Sequence, residues 1–185
     1  MTKIIMTADE MDKAMSRMAF EILEKNSDKD ELCLIGIQRR GVNISKILKT
    51  KLERLIKTEN TNIKNINMGI LDITFYRDDL SLIADYPVIN GTDINFSLDK
   101  KNIILVDDVL YTGRTIRAAI DGVFEYGRPS SVSLAVLIDR GNRELPFKAD
   151  FVGKDVPTSK KEVIKVMIKE LDGKNQVEIV QNTKL

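Results

Sequence analysis

The sequence predicts an α/β fold, a mostly parallel central sheet flanked by helices, and three observations predict it. Leu32 to Ile37 and Ile103 to Val106 are near-continuous apolar runs of strand length, as strands covered on both faces require. Between such runs lie segments whose apolar residues recur at helical spacing. Strands and helices alternate along the chain, which calls for right-handed βαβ crossovers and hence parallel strand pairing. At 185 residues the chain is long enough to bury one sizeable core. We expect a single domain over residues 1–185, with its core at about 7–155, a lid at about 77–92 and a C-terminal hairpin at about 162–181.

Thr7 and Glu10 form a capping-box pair, and Met11, Ala14, Met15, Met18, Ala19, Ile22 and Leu23 follow at helical spacing, so a first helix runs to about Lys25. Its Met-rich stripe reads as core packing, with a partner groove as the minority alternative. Arg17 and Lys25 fall on its mixed-charge side with Asp12, Glu21 and Glu24. The strand Leu32 to Ile37 contains Cys33, a core thiol, and stops at Gln38-Arg39-Arg40-Gly41. Ile44, Ile47, Leu48, Leu52, Leu55 and Ile56 then trace a second helix. The two arginines form either a solvated basic turn or an anion site. Ile66 to Arg77 reads as a strand, and the segment opened by Tyr76-Arg77-Asp78-Asp79 closes near Asn90-Gly91, a mobile hairpin or lid. The minority alternative for Tyr76 to Asp79 is a self-compensating surface turn.

The chain is organised around Ile103 to Thr115. Its strand residues Ile103, Ile104, Leu105 and Val106 end in two adjacent acids, Asp107 and Asp108. After Val109 and Leu110, the residues Tyr111, Thr112, Gly113, Arg114 and Thr115 form a small-residue loop that enters a helix. Consecutive backbone N–H groups, two hydroxyls and a helix N-terminus suit a phosphate monoester. Carboxylates at the C-terminal end of a strand can accept from vicinal hydroxyls or help to hold Mg²⁺. Phosphate, diol and metal on one short loop describe a phosphorylated ribose, whereas the Walker and dinucleotide glycine patterns are both absent. Beyond it, Ile116, Ala119, Ile120, Val123 and Phe124 make a helix that ends at Gly127 with Pro129 following. Ser131 to Ile138 is the next strand, Asp139 to Pro146 a charged loop, and the tail a β-hairpin around Asp172-Gly173-Lys174-Asn175.

Composition narrows the chemistry. With no histidine, imidazole bases, ligands and triads are excluded. One cysteine excludes an intramolecular disulfide and suits a reducing compartment. A net charge of +1 means that any RNA site must be a local patch. The N-terminus lacks a signal-peptide apolar region and no apolar run approaches a membrane span, so we expect a cytoplasmic protein without membrane partners.

The thirteen residues from Ile103 resemble the 5-phosphoribosyl-1-pyrophosphate (PRPP) signature of the type I phosphoribosyltransferases. VDDVLYTGRT, followed by IDRGNRELP and VGKDVPTSK, is similar to the bacterial family of bifunctional pyrimidine operon regulators and uracil phosphoribosyltransferases. The resemblance runs from the first helix to about residue 180. It implies the type I phosphoribosyltransferase fold with a small hood built from terminal segments and a flexible lid loop. It implies binding of PRPP, uracil and the uridine nucleotides UMP and UTP, with Mg²⁺ as cofactor. Arg39, Arg40 and Gly41 would meet pyrophosphate, Arg77 would join them from the lid, and Asp107 and Asp108 would serve the ribose and the metal. Ile138 and Arg140 would shape the base pocket. A leader RNA of a pyrimidine operon would be bound through Arg17, Lys25, Asn142, Arg143 and Lys154, positions that otherwise read as solvated surface. The family pattern commonly has His where Asn142 stands and a polar aromatic or His where Phe20 stands, departures that bear on RNA contact. Purine enzymes of the superfamily place an Asp three residues after the acidic pair, where this chain has Tyr111. The family forms dimers or larger homo-oligomers. A uracil salvage enzyme without RNA binding is the alternative function.

Overall fold

The computed structural model describes residues 2–76 and 91–181. The expected lid and its Arg77 lie outside the described residues, apart from Gly91 and Thr92.

Strand β1 (Thr2–Met6) leads into helix α1 (Ala8–Lys25), whose Thr7 cap and Glu10 form the reciprocal capping box. The Met-rich stripe of α1, Met11, Met15 and Met18 with Ile22 and Leu23, is buried and serves as core. Strand β2 (Glu31–Ile37), helix α2 (Arg40–Leu55) and strand β3 (Asn65–Leu71) follow. Then come β4 (Asn102–Leu110), α3 (Arg114–Glu125), β5 (Ser131–Asp139), β6 (Phe151–Asp155), β7 (Glu162–Met167) and β8 (Gln176–Gln181).

Five strands form a parallel sheet in the order β3-β2-β4-β5-β6. Side chains alternate across it. Ile104 and Val106 of β4 join the core beneath α1 and α2, whereas Ile103 and Leu105 join the core beneath α3. The chain leaves β2 through α2 for β3 on one edge, and leaves β4 through α3 for β5 on the other side. The loops after β2 and β4 therefore diverge to opposite faces, the switch point at which open α/β sheets bind ligands.

A second sheet, β1-β8-β7, is antiparallel and built from both ends of the chain. Met6, Ile164, Val166 and Val177 bring it into the α1/α2 core, and it stands over the C-terminal ends of the parallel strands as the hood. A helical turn, Lys169–Asp172, closed by Gly173 at φ +76°, interrupts the connection between β7 and β8.

Two elements differ from expectation. The strand predicted from Ile66 to Arg77 stops at Leu71. The Asp72 carboxylate accepts from the N–H of Thr74 at 2.9 Å and from its hydroxyl at 2.5 Å, turning the chain into a short 3-10 segment, Thr74–Tyr76. Strand β4 runs past the acids to Leu110, because Asp107, Val109 and Leu110 keep parallel partners in Val136, Ile138 and Asp139. Among the described residues no helix is long and apolar enough to cross a membrane.

Candidate functional site

Gly41, in the first turn of α2, sets the distance between the two diverging loops. A Cβ there would stand 2.3 Å from the Val106 carbonyl oxygen and 3.1 Å from Asp107 Cα. Only glycine lets the start of α2 lie directly against β4 at the acidic pair. The peptide joining Gln38 to Arg39 in the preceding turn is cis. Arg40 follows, in a cleft of about 440 Å³ lined also by Asp108, Ile164, Lys165, Met167 and Asp172. Its Nη2 donates to both oxygens of Asp172, at 2.9 and 3.2 Å, while its Nε is buried without a hydrogen-bond partner. The Asp172 carboxyl is held below its ordinary value, first by the Ile168 N–H it accepts and then by Arg40. Arg40 thus joins the loop after β2 to the hood.

Asp107 is buried. Its carboxylate accepts the N–H of Asp108 at 2.9 Å, and the Asp108 carboxylate accepts the N–H of Val109 at the same distance. Burial pushes the Asp107 carboxyl well above the ordinary carboxylate range, and the neighbouring charge of Asp108 pushes it further. Burial also raises Asp108, against the pull of Arg40. Both groups disfavour their own charge until a cation or a hydroxyl donor arrives. No cluster of three or more metal-ligating side chains occurs among the described residues. Two adjacent, under-compensated carboxylates nevertheless fit a divalent ion whose other ligands come from a bound molecule.

After Leu110 the backbone turns through Tyr111 and Thr112 to Gly113 at φ +94°, which caps α3. The Thr112 hydroxyl accepts the N–H of Arg114 at 3.3 Å. The residues from Arg140 to Phe147 press against this loop. The N–H groups of Glu144 and Leu145 both donate to the Thr112 carbonyl at 2.9 Å, and Arg114 Nε meets Glu144 at 2.9 Å. A Cβ at Gly113 would come within 2.9 Å of the Phe147 ring.

With two acids at a switch point, a basic turn against them and a phosphate-type loop beside them, the geometry can be set against known proteins. The sequence profile of the phosphoribosyl transferase domain matches residues 2–171. The chain belongs to the phosphoribosyltransferase family. It is 53% identical over 179 residues to the "Bifunctional protein PyrR" of Caldicellulosiruptor bescii, covering 97% of this chain and 95% of the relative. Against the protein of the same name from Acetivibrio thermocellus it is 54% identical over 175 residues, covering 95% and 92%. Among solved structures, the hypoxanthine phosphoribosyltransferase of Trypanosoma cruzi superposes with a TM-score of 0.70, covering 97% and 96% of the two chains at 18% identity. A hypoxanthine-guanine phosphoribosyltransferase of Bacillus anthracis superposes with a TM-score of 0.64 at 19% identity, covering 96% of each. At those identities the likeness is one of fold, here the type I phosphoribosyltransferase fold.

Within this phosphoribosyltransferase, Arg40, Gly41, Asp107, Asp108 and the turn from Tyr111 to Arg114 come together, with Arg39 beside them on the same turn. The weaker sequence candidates sit differently. Ile138 is fully buried in the core. Arg140 is 5% exposed, donating to the Thr158 hydroxyl and to the Ser159 and Glu162 carbonyls, with its guanidinium 4.0 Å over the Tyr111 ring. Arg140 therefore binds the loop after β5 to the start of the hood. Of the RNA candidates, Arg17 donates to the Val152 and Gly153 carbonyls and pairs with Glu21. Lys25 pairs with Asp150, and Lys154 donates to the Ile5 carbonyl. These three lie together where α1 and β1 meet β6, each keeping an exposed side. Asn142 stands at φ +58° and donates to the Thr158 carbonyl at 2.7 Å. Arg143 is turned inward, toward the Tyr111 and Phe147 carbonyls.

Sequence patterns do not single out Asp172, Asp139 or Glu144. Their partners are remote in the chain or read as ordinary surface charges, and no local signal marks them.

Proposed function

We propose that this protein regulates pyrimidine biosynthetic genes by binding the leader of the operon's mRNA in response to uridine nucleotides, and that it also transfers phosphoribose from PRPP to N1 of uracil, giving UMP and pyrophosphate. The observation that carries the reading is the acidic pair held against Gly41 beside a phosphate-type loop, in a chain about half identical to proteins named bifunctional PyrR.

Breaking the anomeric bond builds positive charge on the ribose and negative charge on the leaving group, so catalysis is positioning and electrostatics with no protein nucleophile. Asp107 and Asp108 accept from the ribose hydroxyls, and their charge favours the developing cation. Arg39, Arg40 and the backbone at Gly41 receive the pyrophosphate. Thr112, Gly113, Arg114 and Thr115 hold the 5′-phosphate, with the start of α3 directed at it. Asp107 and Asp108 would help to hold Mg²⁺, which would supply charge neutralisation for the leaving group. The alternative, a uracil salvage enzyme, is favoured by one observation: Arg17, Lys25 and Lys154 all have partners within the chain.

The test is a titration of the protein with the leader RNA of its own pyrimidine operon, with and without UMP, alongside a uracil-plus-PRPP turnover assay. UMP-enhanced binding together with turnover is expected. Turnover without RNA binding would leave the salvage reading, and consumption of guanine with uracil ignored would overturn both.

A further inference from the structure

We propose that Arg143 is a positioning residue for the phosphate loop. The inference rests on the phosphoribosyltransferase reading of that loop and assigns Arg143 a task other than RNA contact.

The Arg143 guanidinium is surrounded by acceptors. Its Nε donates to the Phe147 carbonyl at 3.0 Å. Nη1 donates to the Tyr111 carbonyl at 2.8 Å, to Gly141 at 3.1 Å and, more weakly, to Leu110 at 3.4 Å. Nη2 is bound to the Asp139 carboxylate, whose other oxygen accepts the Gly141 N–H at 2.9 Å. The side chain is only 22% exposed. Every nitrogen is thereby committed, and a planar fork is the one side-chain shape that reaches this set at once.

The acceptors at Leu110 and Tyr111 matter most, because the first ends β4 and the second opens the phosphate loop. The neighbouring carbonyl, that of Thr112, is taken by the N–H groups of Glu144 and Leu145. The N–H of Arg140 donates to Leu110 at 3.1 Å. Three successive carbonyls, at 110, 111 and 112, are thus all drawn toward residues 140–147. A trans peptide is planar, with its N–H opposed to its C=O. Pulling those carbonyls to one side points the N–H groups of Tyr111, Thr112 and Gly113 to the other. An anion-binding nest needs that alignment of consecutive N–H groups. Arg143 is the only side chain in the set, and its removal leaves the Tyr111 carbonyl without this donor and the Asp139 carboxylate without its charge partner.

The experiment compares wild type, Arg143→Ala and Arg143→Lys in steady state, varying PRPP and uracil separately, with UMP affinity by calorimetry. The expected result for Arg143→Ala is a KM for PRPP and a Kd for UMP raised by about 10–100-fold, the loss that follows from misplacing a binding group by about an ångström. KM for uracil should stay within about threefold. Added guanidinium ion should recover part of the loss in Arg143→Ala. Arg143→Lys keeps the charge beside Asp139 but lacks the fork, so it should fall between the two. If Arg143→Ala does not fold, Asp139→Asn keeps the bond to Gly141 and should raise KM for PRPP in the same direction, by less. A merely structural role would lower melting temperature and active fraction while leaving both KM values and the UMP affinity unchanged, and that result overturns the inference. Weakened RNA binding with unchanged KM for PRPP would overturn it too, returning Arg143 to the surface patch. Wild-type protein that binds neither PRPP nor UMP would overturn the functional reading as well.

Discussion

Substituting Gly41 by alanine tests the site geometry most directly. The added methyl would stand 2.3 Å from the Val106 carbonyl oxygen, about 1 Å inside ordinary contact, and its second obstacle is the backbone of Asp107. Neither obstacle is the end of a flexible side chain, so α2 or β4 must move by roughly that ångström. Overpacking of this kind costs about 1–3 kcal/mol. For a chain of this size that is a fall in melting temperature of about 2–4 °C per kcal/mol. The larger effect falls on activity. The displaced groups are the ones proposed to hold pyrophosphate and ribose, and a shift of about 1 Å costs on the order of a hundredfold in rate. Initial rates of UMP formation, with a thermal melt on the same samples, measure both. A variant with wild-type kcat/KM for PRPP and an unchanged melt would refute the argument that close approach of α2 to β4 builds the site.

Asp107→Asn keeps the acceptor for the Asp108 N–H but removes a buried charge that Asp108 already opposes. Because the folded-state carboxyl titrates above its unfolded value, wild-type stability declines as pH rises from the ordinary carboxylate value through the raised one. The variant should therefore gain stability over wild type as pH rises through that window, read as a widening difference in melting temperature, while turnover falls on the order of a hundredfold or more. A constant difference across pH would contradict the burial argument. Asn142→His should melt close to wild type, since His tolerates positive φ, whereas Asn142→Val should lose about 1–2 kcal/mol by chemical denaturation. Equal stabilities would show that φ +58° at this position carries no weight. Arg17→Ala and Lys154→Ala should each weaken leader-RNA affinity and reduce the slope of log K against log salt by about 0.7 for every RNA phosphate the side chain neutralises. An unchanged slope removes that residue from the RNA face.

Much of this molecule is legible in the chain where the signals are local. The Thr7/Glu10 capping box, the apolar stripe of α1 and the turn from β4 into α3 at Gly113 are each set by residues a few positions apart, and each holds in the structure. The end of β4 is hard to read for a physical reason: two acids interrupt an apolar pattern but do not interrupt a parallel ladder, which asks only for backbone partners. Strand β1 leaves no signal because its partner, β8, lies at the other end of the chain and five residues carry little periodicity of their own. Arg40 has the look of an anion-site residue, but its bond to Asp172 spans 132 positions, and no pattern in a single sequence reports such a contact. Arg143 and Arg140 look like loop cations. Only the fold shows that one is ringed by carbonyls and the other lies buried beneath the hood.

The structural neighbours act on purine bases by their names, yet the proposed substrate here is a pyrimidine, and the difference rests on a site rather than on the fold. By the family resemblance, position 111 is where purine enzymes of the superfamily carry an aspartate. In this chain it holds a tyrosine whose ring carries the Arg140 guanidinium at 4.0 Å. Arg140 in turn fixes Thr158, Ser159 and Glu162 at the entry to β7. An aspartate in place of Tyr111 would offer that guanidinium a carboxylate instead of a ring face, and a charged hydrogen bond would compete with the carbonyls that Arg140 now holds. The residue that assists a purine nitrogen elsewhere would thus be drawn toward Arg140 and away from the base. Tyrosine at 111 and a buried arginine at 140 therefore belong together, and the pair ties the turn after β4 to the start of the hood.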